Sequence, residues 1–154
     1  MESTQEKIRS LWVPLRNMNL ILPNAAVAEI GSYRKPEQIQ GAPDWLFGKV
    51  RWREHDLPVL SLETLCGMEV TSNPVFSRLM VLNPVRPDST VAHYAIVTAG
   101  LPGLIQFGAD TAAGTFPAEH EALRCMVRIG NEQAAIPDLV YLQALVEQQF
   151  RQAA

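Results

Sequence analysis

Turn signals break this chain at intervals of roughly ten residues, and the apolar runs between them are short. That cadence limits the fold more than any other feature. A parallel α/β sheet needs a crossover helix between successive strands. Only one stretch has a helix's spacing, with Leu139, Leu142, Leu145, Val146 and Phe150 recurring on one face. The pattern therefore predicts a mainly β chain of roughly nine or ten short strands, two short helices and one C-terminal helix, arranged as small barrels or sandwiches.

Along the chain, Ser10 to Arg16 alternates loosely, Asn17-Met18-Asn19 is a polar break, and Leu20-Ile21-Leu22 resumes the apolar run, which predicts a hairpin. Pro23-Asn24 starts a one-turn helix with Asn24 as its candidate N-cap, and Val27 to Tyr33 is extended. Arg34 to Asp44 contains Pro36, Gly41 and Pro43 and is a loop. Trp45 to Arg53 alternates, with Val50 and Trp52 on one face and Lys49, Arg51 and Arg53 on the other. Glu54-His55-Asp56 is a turn and Leu57 to Leu60 the return strand, followed by a short helix from an N-cap at Ser61 through Leu65 to a stop at Gly67.

Val75 to Leu82 and Val91 to Thr98 are strands around a turn at Asn83 to Ser89. Gly100 to Gly108 is broken by glycine and proline, with brief pairing at Leu104-Ile105, and Asp110 to Glu121 is a polar, mobile loop. A last hairpin joins Arg124–Ile129 to Gln133–Ile136 around Gly130-Asn131-Glu132, and Pro137-Asp138 opens the final helix, Leu139 to Phe150.

The last hairpin echoes an earlier one. With Val50 set against Val127, Val50-Arg51-Trp52 faces Val127-Arg128-Ile129, the polar turns coincide, Ser61 faces Asp138, and Leu62 and Leu65 face Leu139 and Leu142. Each unit is strand, tight turn, strand, N-cap, helix. The repeated order predicts two similar β-subdomains, each ending its last hairpin in a helix.

The residues offer no reaction centre. No nucleophile elbow, Walker loop, dinucleotide fingerprint or metal-ligand spacing occurs. His55 lies in an acidic turn, His93 adjoins Tyr94 as a half-exposed strand residue, and His120 stands between Glu119 and Glu121, which is no metal spacing. Gly100-Leu101-Pro102-Gly103 lacks the lysine of a phosphate loop. Thirteen basic residues are scattered over a chain of net charge −3, which argues against a nucleic-acid partner. Cys66 and Cys125 read as reduced thiols of a cytoplasmic protein, and neither a signal peptide nor a membrane-spanning run is expected. The expectation is no enzyme, no cofactor and no metal; the alternative weighed is a small-ligand-binding or enzymatic β-barrel, with an SH3-like or OB-like nucleic-acid binder third.

What remains is a binding surface. Charged residues are only 19% of the chain, so it either buries much of its surface or offers apolar surface to a partner. Tryptophan and arginine most often anchor interfaces, and Trp45, Arg51, Trp52 and Arg53 cluster around one strand. Here the chain resembles the CheW-like family of chemotaxis coupling proteins. The likeness lies in Val27-Ala28-Glu29-Ile30, Pro43-Asp44-Trp45-Leu46-Phe47-Gly48, Lys49-Val50-Arg51-Trp52-Arg53-Glu54 and Leu57-Pro58-Val59-Leu60-Ser61-Leu62. Ala95 to Leu101 and Ile136-Pro137-Asp138-Leu139 extend it downstream.

The resemblance implies one domain over residues 1–154 made of two intertwined, SH3-like, five-stranded barrels around a shared core. It implies an adaptor that couples the cytoplasmic tips of methyl-accepting chemoreceptors to the regulatory domain of a CheA-type histidine kinase. Arg53 then matches a receptor contact, Glu29 and Ile30 the receptor groove, and Gly48 the kinase-facing lobe. Trp45, Arg51, Trp52 and Glu54 join the candidate site by position. The family's Asn-Leu-Arg-Gly is Arg51-Trp52-Arg53-Glu54 here, and the Asp of its middle strand is Ala99. Those departures make the chain similar to the accessory ChpC-like proteins of pilus-based twitching systems.

Overall fold

A computed structural model describes residues 8–70, 76–86, 88, 91–108 and 114–153. Among the described residues, eleven strands lie in two sheets, with helices between and after them. The first sheet holds β1 (Ile8–Pro14), β2 (Asn19–Pro23), β8 (Gly103–Phe107), β9 (Gly114–Phe116), β10 (Leu123–Ile129) and β11 (Glu132–Pro137), in the order β8-β1-β2-β11-β10-β9. The second holds β3 (Val27–Ser32), β4 (Leu46–Trp52), β5 (His55–Leu60), β6 (Arg78–Leu82) and β7 (Tyr94–Thr98), in the order β3-β6-β7-β5-β4. Two helices, α1 (Leu62–Leu65) and α2 (Leu139–Ala153), and a 3-10 turn at Asn24–Ala26 complete the elements of the described residues.

The two sheets repeat one plan. In each, an edge strand pairs with a hairpin (β8 with β1–β2, β3 with β6–β7), and the hairpin's second strand runs parallel to the return strand of another hairpin (β2 with β11, β7 with β5). The echo seen in the sequence is the latter pair of hairpins. Arg51 pairs Asp56 as Arg128 pairs Gln133, and Trp52 pairs His55 as Ile129 pairs Glu132, so their registers coincide. The caps coincide too: Ser61 Oγ accepts from the Thr64 N–H (3.2 Å) and Asp138 Oδ1 from the Tyr141 N–H (3.0 Å).

The chain crosses between lobes twice, at Asn24–Ala26 and between β7 and β8, so the first lobe is split in sequence around a contiguous second lobe. Each helix then reaches the other lobe. Glu63 of α1, only 4% exposed, accepts from the backbone N–H groups of Arg16 and Asn17 in the β1–β2 turn. From α2, Gln143 donates to the Val91 carbonyl (2.9 Å) and Glu147 pairs with Arg86 (3.3 Å), both on the β6–β7 connection. This exchange fastens the lobes with hydrogen bonds in addition to apolar burial.

The shared core lies between the sheets. Leu11, Val13, Leu20, Leu22, Leu123, Leu142 and Val146 from the first lobe meet Leu46, Leu60, Met80, Leu82, Tyr94 and Ile96 from the second. A separate cluster of Val50, Trp52, Leu57, Val59, Leu79, Val81 and Ala95 fills the second lobe. One β-bulge serves both. Leu46 pairs Leu60, but past the bulge Gly48 pairs Val59, so the strand's apolar side turns from the shared core to the lobe interior.

The second sheet closes on itself. Beyond β3 the backbone of Glu37 exchanges two hydrogen bonds with Lys49 of β4 (2.8 and 2.9 Å), joining the sheet's two edges. Gly48 permits this. Its φ is +142°, and a Cβ there would lie 2.1 Å from the Glu37 carbonyl oxygen.

Several sequence expectations change. Asn24 is the first residue of the 3-10 turn, and Pro23 occupies the cap position without a side-chain bond. Gly103 to Phe107 is a full edge strand, paired along β1. Gly114 to Phe116, expected within a loop, pairs β10 and makes the first sheet six-stranded where five were expected. Neither edge has its own amphipathic pattern, and both are held by their partner strands. Val75 and residues 110–113 of the expected mobile loop lie outside the described residues. Among the described residues, no helix is long and apolar enough to cross a membrane.

Candidate protein-docking site

The β4–β5 turn differs from its expectation in a way that creates the site. The turn consists of Arg53 and Glu54 alone, and His55 already belongs to β5. Both turn residues have positive φ, 46° and 65°, as a type I′ hairpin turn requires. Asparagine and glycine usually occupy such positions; a side chain with a Cβ costs about 1–2 kcal/mol at each. Arg53 therefore leaves the strand face it was expected to share with Lys49 and Arg51, and folds back over Trp52.

Three interactions hold it there. The guanidinium lies over the Trp52 ring, 4.4 Å from its centroid, and Nη2 donates to Glu29 Oε1 at 3.1 Å. The Trp52 indole N–H donates to Glu29 Oε2 at 3.3 Å, so one carboxylate holds both neighbours. The side chains of Arg53 and Glu29 are 62% and 41% exposed, which leaves the pair within reach of a partner. At that exposure the ion pair adds less than about 1 kcal/mol to stability, and its significance is in fixing where the cation stands.

Glu29 reaches this position through a second bulge. Val27 pairs Leu82, yet Glu29 pairs Val81, and Ile30 pairs Met80. Val27 and Ile30 thus both pack against the shared core, while Glu29 points to the end of the second lobe's interior. The Val-x-Glu-Ile spacing encodes this bulge.

His93 completes the cluster. Its ring lies 4.8 Å from that of Trp52, tilted by 55°. Burial holds its pKa below the ordinary histidine value, and the charges of Arg53 and His55 push the same way. A cleft of about 430 Å³ opens beside it, between Trp52, His55, Leu57 and Phe150 of α2.

The other candidate residues are distributed differently. Arg51 is exposed on the opposite face and shares Asp56 with Lys49, at 3.5 and 3.7 Å. Glu54 is exposed at the turn, and Ile30 is half-buried on β3. Trp45 is no surface anchor: it is 8% exposed within the shared core, and its carbonyl accepts from the Ser61 N–H. Gly48 is buried beneath Glu37 and acts on the closure of the sheet. The structure therefore brings together Glu29, Trp52 and Arg53, leaves Glu54 exposed beside Arg53 in the turn, separates Arg51, and places Trp45 and Gly48 inside. Sequence reasoning missed His93, which precedes β7 and is not a strand residue. Its one usable signal was an imidazole beside a run that pairs back toward β5.

Among the described residues, no group of three or more His, Cys, Asp or Glu is placed to hold a metal. Cys66 is half-buried, and burial together with the Glu63 charge pushes its thiol up to about 11, far from a nucleophile's range.

Two interlaced β lobes that present a preset cation at a hairpin tip define a two-lobed β scaffold. The chain belongs to the CheW-like domain family, whose model matches residues 9–146. In fold it is similar to the scaffolding protein TtCheW from Thermoanaerobacter tengcongensis, with a TM-score of 0.72 at 14% identity over 87% of this chain and 90% of that one. With that likeness the two sheets are SH3-like subdomains of the CheW architecture. No curated protein matches the sequence.

Proposed function

We propose that this protein is a non-catalytic cytoplasmic adaptor, one domain over residues 1–154, that couples chemoreceptor tips to the regulatory domain of a CheA-type histidine kinase. The observation that carries this reading is the Glu29–Trp52–Arg53 cluster, with the ion pair at 3.1 Å, set on a scaffold of the CheW-like family. A guanidinium already oriented by a carboxylate and an indole ring loses little side-chain freedom on binding. It can donate to an acidic or carbonyl group on a receptor's helical hairpin and set its register.

By the family resemblance Ile30, beside Glu29 on β3, lies near the receptor groove, with Glu54 and Trp52 supporting Arg53. Arg51 offers a second cation on the other face, and the lobe closed at Gly48 faces the kinase. The tryptophan in place of the family's leucine, and Glu54 in place of its glycine, support an accessory subtype similar to ChpC, acting in twitching motility. No cofactor and no nucleic acid enter this role.

Co-precipitation of the full chain with a chemoreceptor cytoplasmic fragment and with a CheA-type regulatory domain tests it. Capture of both, with Arg53→Ala weakening the receptor contact alone, is the expected result. Capture of neither refutes the adaptor role.

A further inference from the structure

We propose that His93 is a positioning residue for Arg53, bracing Trp52 while its imidazole is neutral, so that acidification loosens the arginine and weakens partner binding. The inference rests on the docking role proposed above and adds a control to it. Trp52 is the common element. Arg53 stacks on its ring at 4.4 Å, His93 packs against it at 4.8 Å, and its N–H donates to Glu29 at 3.3 Å. Any change in the packing of His93 therefore reaches the two side chains that form the exposed ion pair.

The surroundings disfavour an imidazolium. Arg53 and His55 are the cations beside it, and both act against its protonation. From β5, Asp56 lines the same cleft, but its carboxylate is 3.5 Å from Arg51 and 3.7 Å from Lys49. From β3, Glu29 accepts from both Trp52 and Arg53. Arg34 adds a further cation on the Glu29 side of Trp52, and α2 contributes Phe150, which is apolar. A protonated His93 would place a second cation against a ring that already carries a guanidinium, in a partly desolvated cleft. Its release is into water, through that cleft. Trp52 then loses its brace, and the indole bond to Glu29 and the pose of Arg53 loosen together.

The sign follows. A histidine whose folded pKa is depressed leaves the protein fully braced above the ordinary histidine value of 6.5, and the bracing is lost as pH falls from there through the folded value.

Two readouts on the full chain test this. The first needs no partner: the Trp52 indole N–H resonance, assigned with Trp52→Phe, is followed by ¹⁵N NMR from about pH 7.5 to about pH 5. The resonance should move with a midpoint below 6.5. The movement should vanish in His93→Gln and persist in His55→Gln with a higher midpoint, because a repelling neighbour is gone. The second is the affinity for a receptor hairpin fragment at about pH 7.5 and about pH 5.5, expected to fall several-fold in the wild type and to stay level in His93→Gln.

An indole resonance that titrates identically with and without His93, or equal loss of affinity in both proteins, overturns the inference. Absence of hairpin binding at either pH would be a failure of the adaptor reading instead, and the NMR titration would then decide the role of His93 alone.

Discussion

Replacing Gly48 with alanine should open the second lobe. An added Cβ would stand 2.1 Å from the Glu37 oxygen, 2.7 Å from the Glu37 carbonyl carbon and 3.1 Å from the Pro36 Cβ, at a φ of +142°. The first two are backbone atoms that no rotamer change can move aside. The 36–37 segment must retreat, and the two Glu37–Lys49 hydrogen bonds at 2.8 and 2.9 Å go with it. Each bond is worth about 1 kcal/mol net, and forcing a side chain into this backbone region adds about 1–3 kcal/mol. The total is about 3–5 kcal/mol. For a chain of this size 1 kcal/mol shifts Tm by about 2–4 °C, so Gly48→Ala should melt about 6–20 °C below the wild type. Circular dichroism melts read this directly, and urea titration with an unchanged slope confirms that stability alone has changed. A Tm within about 2 °C of wild type would refute the closure reasoning and return Gly48 to the partner surface as an ordinary contact.

Other consequences are independent of that one. Glu54→Gly should stabilise the hairpin by about 0.5–1 kcal/mol, because relief of the positive φ outweighs the added freedom of glycine in the unfolded chain; a loss of stability in urea would show that Glu54 makes a compensating contact. Glu63→Ala strips the buried carboxylate from the Arg16 and Asn17 amides that join α1 to the other lobe, and should cost about 2–4 kcal/mol by chemical denaturation. A cost under about 0.5 kcal/mol would mean the lobes are fastened by apolar packing alone. Cys66, with its thiol pushed up to about 11, should react with disulfide reagents far more slowly in native protein than in urea at neutral pH. The stability its bound proton contributes is complete below the thiol's ordinary 9.0 and disappears as pH climbs toward 11; equal reaction rates in both states would contradict its burial.

The parts of this fold that could be read in advance were those with their own pattern. The hairpins β4–β5 and β10–β11 carry alternation on both strands and a capped helix after them, and their echo disclosed the two-lobe plan. The edges β8 and β9 have no such pattern; Gly103 to Phe107 and Gly114 to Phe116 are strands because β1 and β10 offer them hydrogen bonds. Simple alternation also misplaced residues around Trp52. The bulge at Leu46–Gly48 sends Trp45 toward the shared core, and the two-residue turn takes Arg53 off its strand face. Glu29 and Trp52 sit on strands at opposite ends of the sheet order, 23 residues apart in sequence, so only closure of the sheet unites them. Resemblance named Glu29 and Arg53 together without supplying that reason. The stacking of His93 on Trp52 had no periodic signature at all.

In the adaptor role proposed above, Arg53, oriented by Glu29 and Trp52, is the contact through which this scaffold grips a receptor. Calorimetric titration of a receptor hairpin fragment into the wild type, Arg53→Ala and Glu29→Gln, each shown to be folded, addresses it most directly. Both substitutions should weaken binding by tenfold or more, about 1.4 kcal/mol, with the melting temperatures nearly unchanged because the exposed pair contributes little to folding. Wild-type affinity in Arg53→Ala would contradict the claim and move the receptor contact elsewhere on the two lobes.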